Sequence, residues 1–216
     1  TPTDTLLPPT DTFTPTFTAT PTDTPLPPTA TFTPTFTATP APVINTGFHA
    51  PTANSAVTTS AGDNNGYQTT PTNAYLADGL FAVDANSGTN NNTSCTNNGK
   101  DKHLFYNYTL NVPTAATIQG IEVKLTGKVS SASNSPKFCV QLSWDGGKTW
   151  TTAKSPSVLS ITNTAYLLGT SLDTWGRTWS GVNFSDANFR LRIIDVAGSN
   201  SRTFYLDGVA VQVTYK

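Results

Sequence analysis

The chain has 216 residues, with 12 basic side chains against 13 acidic ones and a charged fraction of only 12%, so its formal net charge is −1. That balance gives nucleic acid or an acidic membrane surface no electrostatic hold. No apolar run approaches the roughly 20 residues of a transmembrane helix, so membrane insertion is not expected either.

Polarity comes instead from Thr, Ser, Asn and Gly, and no Lys or Arg precedes Lys100. A surface rich in hydroxyls and amides is common in secreted proteins, and an extracellular or cell-surface location is expected. Met is absent, including at position 1, which fits a processed form whose signal peptide has been removed.

Residues 1–42 hold most of the 16 prolines and consist largely of one phrase written twice. Residues 2–20 read PTDTLLPPTDTFTPTFTAT and residues 21–39 read PTDTPLPPTATFTPTFTAT, differing only where Leu6 becomes Pro25 and Asp11 becomes Ala30. By composition this is a flexible or semi-rigid linker without a core of its own. Its order says more. Thr alternates with Phe, Pro and Ala at period two, which in an extended chain makes one hydroxyl face and one apolar face. Polyproline II repeats every three residues and would not separate them. Pro15 and Pro34 cannot donate ladder hydrogen bonds, so an edge ribbon is allowed and a central strand is not. The apolar face offers Phe13, Phe17, Phe32 and Phe36, with Leu7 and Leu26, as assembly contacts. The other face offers Thr12, Thr14, Thr16, Thr18, Thr31, Thr33, Thr35 and Thr37 for O-glycosylation.

Residues 43–216 read as all-β, and no helical period survives more than a turn. Strands are expected over 43–48, 79–84, 103–112, 117–129, 137–144, 164–169, 188–195 and 202–215. Alternation is clearest in Ile121, Val123, Leu125 and in Val209, Val211, Val213. That count predicts a two-sheet β-sandwich, jelly-roll-like. The two cysteines, Cys95 and Cys139, predict a disulfide fastening the long 85–101 loop to a strand, with a loop-entropy contribution of roughly 4 kcal/mol.

Several motifs carry candidate chemistry. Ser143–Trp150 (SWDGGKTW) resembles the Asp-box of sialidase propellers, a hairpin in which Asp and Ser bond the turn's backbone. One copy implies a stabilising turn and no sialidase activity. Trp175 and Trp179 flank Gly176-Arg177-Thr178 and offer indoles for stacking on sugars, or else for core packing or an Arg177 stack. Sequons place N-glycosylation candidates at Asn91, Asn92, Asn107 and Asn183. Asp63-Asn64-Asn65-Gly66 and Asp84-Ala85-Asn86-Ser87-Gly88 offer oxygen ligands for Ca²⁺, though such segments also make plain turns. No other cofactor is expected. His49 and His103 lie in no triad signature, and Glu122 is the single Glu, so no catalytic residue is assigned and an enzyme is not expected.

Residues 46–216 resemble a β-sandwich domain of large secreted and surface proteins of bacteria that follows Thr/Pro-rich (TPT-type) linkers. The resemblance rests on NNGYQTTPTNAYLADG, SCTNNGKDKHLFYNY, GIEVKL, CVQLSWDGGKTW, DTWGRTW, NFRLRI and YLDGVAVQVTY. It implies a fold and an extracellular setting and supplies no catalytic residues. Two functions follow as expectations. The first is a structural subunit of an extracellular filament, a homopolymer whose repeats dock onto neighbouring sandwiches. One repeat spans roughly 60 Å when extended, against a domain roughly 40 Å across. The alternative is a surface carbohydrate-binding or adhesion module on a glycosylated Thr/Pro stalk, with glycans as partner.

Overall fold

The structure, a computed structural model, describes residues 41–216. Nine strands form two antiparallel sheets. They are β1 (Ile44–Asn45), β2 (Ala53–Ala56), β3 (Ala82–Asp84), β4 (Lys102–Tyr106), β5 (Ile118–Val129), β6 (Lys137–Ser143), β7 (Thr164–Thr170), β8 (Arg190–Val196) and β9 (Phe204–Tyr215). The first sheet runs β1-β9-β5-β7, with β3 also pairing β9; the second runs β2-β4-β8-β6. Odd-numbered strands all lie in the first sheet and even-numbered strands in the second. Every connection therefore crosses between sheets, which is the jelly-roll pattern of sandwich.

The eight expected strands are all present, most with trimmed ends, while β4 starts one residue earlier and β7 and β8 end one residue later than expected. The one expected over 103–112 stops at Tyr106 because Asn107, Thr109 and Asn111 take positive φ, which breaks the pleat. β2, with sequence ANSA, carries no alternation and was not expected. It pairs β4 from Ala53↔Tyr106 to Ala56↔His103 and covers that strand's edge.

Period two sets the core. Ile121, Val123 and Leu125 of β5 and Val209, Val211 and Val213 of β9 face inward across the long β5–β9 ladder. Phe105, Phe138, Val140, Leu142, Leu191 and Ile193 meet them from the second sheet. On the second sheet's outer face, Cys139, Ile194 and Val196 form a small separate cluster with Cys95 packed on it. Cys95 and Cys139 are joined by a disulfide. It pins the 85–101 loop over a patch that would otherwise be exposed.

The same parity buries charge. Asp84 ends β3 in phase with Ala82, Asp101 precedes β4 in phase with His103 and Phe105, and Asp195 follows Leu191 and Ile193. All three lie on the inner face at one end of the sandwich, no more than 3% exposed. Tyr67 Oη donates to Asp195 Oδ1 (3.1 Å) and the Asp63 N–H to Asp101 Oδ1 (3.0 Å), while neither oxygen of Asp84 has a donor. Lys100 is also buried and donates to Ser87 Oγ. Burial, then the neighbouring Asp195, Asp101 and Asp63, push the Asp84 carboxyl well up. Burial likewise raises Asp195, and burial with Asp63 beside it brings Asp101 to about 7. A retained proton supplies a donor between Asp84 and Asp195, where Asp84 otherwise has none. His103, buried against Tyr67, is pushed down by burial to about 4.

The unfolded chain loses carboxyl protons near pH 4, whereas the fold keeps them to about 7 and above, so these groups destabilise the fold as pH rises. His103 acts oppositely, but only below about pH 6.5, where the unfolded imidazole is charged. Between about pH 6.5 and 8.5 the His103 contribution is complete, and the three carboxyls outweigh Lys100 and Lys102, whose burial-lowered pKa values act in the opposite sense, so the thermal midpoint of the chain falls by a few degrees. Asp195→Asn flattens that slope. A midpoint that holds level or rises across this window in the wild type contradicts the assignment.

Candidate functional site

The sandwich carries a cleft of about 400 Å³ beside the β6 edge of the second sheet. Trp144, Trp150, Thr151, Thr152, Lys154, Trp175 and Arg177 are among its walls. Three segments build it, each for a local reason.

The first is the hairpin after β6. Ser143 Oγ donates to Asp145 Oδ1 (2.9 Å) and accepts from the Gly147 N–H (2.9 Å). Asp145 Oδ1 also accepts from the N–H groups of Lys148 (3.0 Å) and Thr149 (2.9 Å), and its Oδ2 accepts from Thr149 Oγ1. Slight desolvation would raise the Asp145 carboxyl. The bonds from Thr149, Ser143 and Lys148 outweigh it and hold the group down to about 2. The turn is thereby fixed, and Trp144 and Trp150 leave it on either side. Trp150 lies under the Arg192 guanidinium (4.0 Å to the ring centroid), which is itself held by Gln141 Oε1.

The second segment is Thr151–Lys154. It runs beside β6, with the Lys154 N–H donating to the Val140 carbonyl (2.9 Å) and the Thr151 N–H to that of Leu142 (2.9 Å). Lys154 Nζ pairs with Asp173 at 2.9 Å, the one ion pair among the described residues.

The third is the loop from β7 toward β8, and here the structure corrects an expectation. Trp175 and Trp179 are only 3% and 5% exposed, so neither offers a face to a sugar. They anchor the loop. Trp175 Nε1 donates to the Ile121 carbonyl (2.9 Å), and Trp179 Nε1 to that of Thr174 (2.8 Å). The first of these bonds requires Gly169. At φ +79°, that residue leaves room that a Cβ would lose to Ile121 O at 2.2 Å and Trp175 Nε1 at 2.9 Å. Trp175 itself sits in the left-handed region (φ 55°), a strained conformation for a bulky side chain. Its own N–H, donating to Asp173 Oδ1 (2.8 Å), helps to hold it there.

The result of that strain is the placement of Arg177. Its guanidinium sits in the corner formed by two perpendicular indoles, 3.7 Å from the Trp144 ring centroid and 4.4 Å from that of Trp179. Burial lowers its pKa, and Nη1 is buried with no hydrogen-bond partner. Leaving such a group unpaired costs about 1–3 kcal/mol. A second hollow of about 430 Å³, bounded by Leu110, Val112, Val182 and Phe184, has no Trp and no basic side chain in its walls.

The remaining sequence-level candidates are spread over the surface. Asn91 is exposed and accepts from the Asn200 N–H, and Asn92 accepts from the Ser94 N–H. Asn107 sits at φ 60° after β4, and Asn183 closes a reciprocal cap with Ser180. Of the two segments considered for Ca²⁺, the first is a turn whose Asp63 N–H donates to Asp101 and the second begins at the buried end of β3, and among the described residues no group of three or more His, Cys, Asp or Glu side chains is arranged to hold a metal ion. Phe13, Phe17, Phe32, Phe36, Leu7, Leu26 and the eight threonines lie outside the described residues. Among the described residues no helix is long and apolar enough to cross a membrane.

No family model and no curated protein matches the chain. Solved structures with which it shares a likeness include "CBM4 structure and function", at 11% identity over 62% of this chain and 82% of that one, with a TM-score of 0.36. Another is "CBM32 of AlyQ in complex with 4,5-unsaturated mannuronic acid", at 18% identity over 76% and 96% of the two chains, TM-score 0.36. A third is "Family 16 Carbohydrate Binding Module-2", at 12% identity over 62% and 86%, TM-score 0.29.

Because both indoles act as anchors, Trp175→Ala lowers stability by about 3–5 kcal/mol, the cost of emptying a buried aromatic site. Urea denaturation of the chain measures it. A loss below about 1 kcal/mol would show that Trp175 is a surface group after all.

Proposed function

We propose that the sandwich domain is a carbohydrate-binding module and that the glycan lies in the cleft bounded by Trp144, Trp150 and Arg177. The observation that carries this reading is the combination found there. Two half-buried indoles, the Thr151 and Thr152 segment, and two cations held by neighbouring groups line one concavity. Sugar rings present apolar C–H faces beside hydroxyls, and a wall of indole with fixed polar groups answers both. The role is binding without turnover, in an extracellular setting, with residues 1–42 as a Thr-rich stalk.

Trp150 is the informative position, since Trp144 also supports Trp179 in an edge-on contact. Trp150→Ala weakens binding to the recognised polysaccharide about tenfold or more in affinity electrophoresis and leaves the thermal midpoint within a few degrees of wild type. Unchanged retardation by every polysaccharide that the wild type binds contradicts the assignment of the cleft.

A second reading, self-assembly, is favoured by a different surface. On the outer face of the first sheet, Phe48 and Leu76 are 41% and 66% exposed beside Ala50, Ala77 and Ala210, around a hollow of about 220 Å³. Lys124 Nζ lies over the Phe48 ring at 5.1 Å. An apolar groove of that chemistry suits a Phe-Pro-Phe ribbon from another copy of the chain. In this reading the purified chain forms filaments visible by electron microscopy, and Phe48→Ser with Leu76→Ser abolishes them. Filaments that persist in the double variant rule this groove out.

A further inference from the structure

The hydrogen bonding around the cleft is incomplete at one cation, Arg177, which Asp145 favours through space without bonding it. Two carboxylates lie near the cleft, and both are already engaged. Asp145 gives Oδ1 to Ser143, Lys148 and Thr149 and Oδ2 to Thr149, all within its own hairpin. Asp173 gives Oδ2 to Lys154 and Oδ1 to the Trp175 N–H. Neither comes within ion-pair distance of Arg177, whose guanidinium makes no hydrogen bond among the described residues. By contrast Arg192, the other guanidinium stacked on a cleft indole, is satisfied by Gln141. The loop thus holds one planar, permanently charged fork in the corner of two perpendicular indoles, at the wall of the cleft.

We propose that the cleft selects acidic glycans, and that Arg177 receives the anionic group, a sugar carboxylate or a sulfate. The inference rests on the cleft being the glycan site. A planar fork matches a pair of anionic oxygens better than it matches scattered hydroxyls. The contacts with the Trp144 and Trp179 rings confine it in advance, so little is lost in ordering it when ligand arrives. Lys154, half-exposed and shared with Asp173, adds positive potential at the same wall.

The test is affinity electrophoresis of the full chain through gels containing polygalacturonate, its fully methyl-esterified form, a sulfated galactan, or agarose as a neutral galactan. The expected result is retardation at least about tenfold stronger by an acidic polymer than by its neutral counterpart, weakening between about 50 and 500 mM NaCl. Polygalacturonate against the sulfated galactan tells carboxylate from sulfate. Arg177→Gln removes the preference for acid. Arg177→Lys, which keeps the charge without the fork, and Lys154→Gln each weaken the preference partly, so the result does not hang on one variant that could misfold. Equal binding of acidic and neutral polymers overturns this inference and leaves glycan binding at the cleft intact. A full acidic preference in folded Arg177→Gln overturns the role of Arg177. Absence of retardation by any of a wide set of neutral and acidic polymers overturns both the inference and the reading beneath it.

Discussion

Consecutive strands of this domain alternate between two sheets, and the rest of the structure follows from that constraint. Each connection must pass over an end or an edge of the sandwich. The β5–β9 ladder, with 12 residues in each strand, runs through the first sheet and gives both sheets a common apolar surface to close upon. The β7–β8 connection has to leave the first sheet and reach the second, and it is this passage that carries Trp175, Arg177 and Trp179 to the β6 edge. It is held to the first sheet at Ile121, whose carbonyl accepts from the Trp175 indole and whose N–H donates to the Asp173 carbonyl.

Charge is distributed by the same geometry in two contrasting ways. At one end of the sandwich, strand parity turns Asp84, Asp101 and Asp195 inward, where burial favours the protonated carboxyl over the ion. At the β6 edge the carboxylates are kept ionised by hydrogen bonds within turns and to Lys154, and a guanidinium is left over. Asp173 shows the balance. Burial would raise its carboxyl, but the Lys154 and Trp175 donors hold it below the usual range. The buried carboxyls tune stability, whereas the surplus cation at the edge is available to a partner.

Much of the fold was legible in the sequence because its signal is local. Val209, Val211 and Val213 declare their strand by alternation, and the Asp145 hairpin declares itself by the side chains that bond its own backbone. The strand of Ala53–Ala56 was not legible. Its four small residues carry no pattern, and only the exposed edge of β4 gives them a partner. The site was legible in part. The clustering of tryptophans between 144 and 179 and an Arg177 stack were both visible, but not which indoles face outward. Trp175 is buried because its indole reaches the Ile121 carbonyl, far away in sequence, past a Gly169 turn, and that contact left no local signal, whereas Trp179 bonds the nearby Thr174 carbonyl and packs on Phe184 and Phe189. Lys154 had no signal at all, since it reaches the cleft through a bridge to Val140 and an ion pair with Asp173.

Whether an acidic glycan lies in the cleft against Arg177 is read directly from a crystal structure of the full chain with a short oligogalacturonate or a sulfated oligosaccharide, whichever binds. The expected result is a sugar ring along Trp150 with its anionic group within hydrogen-bond distance of the Arg177 guanidinium. A ligand bound on the outer face of the first sheet or at the Leu110–Phe184 hollow, with the Arg177 guanidinium unengaged, would contradict it.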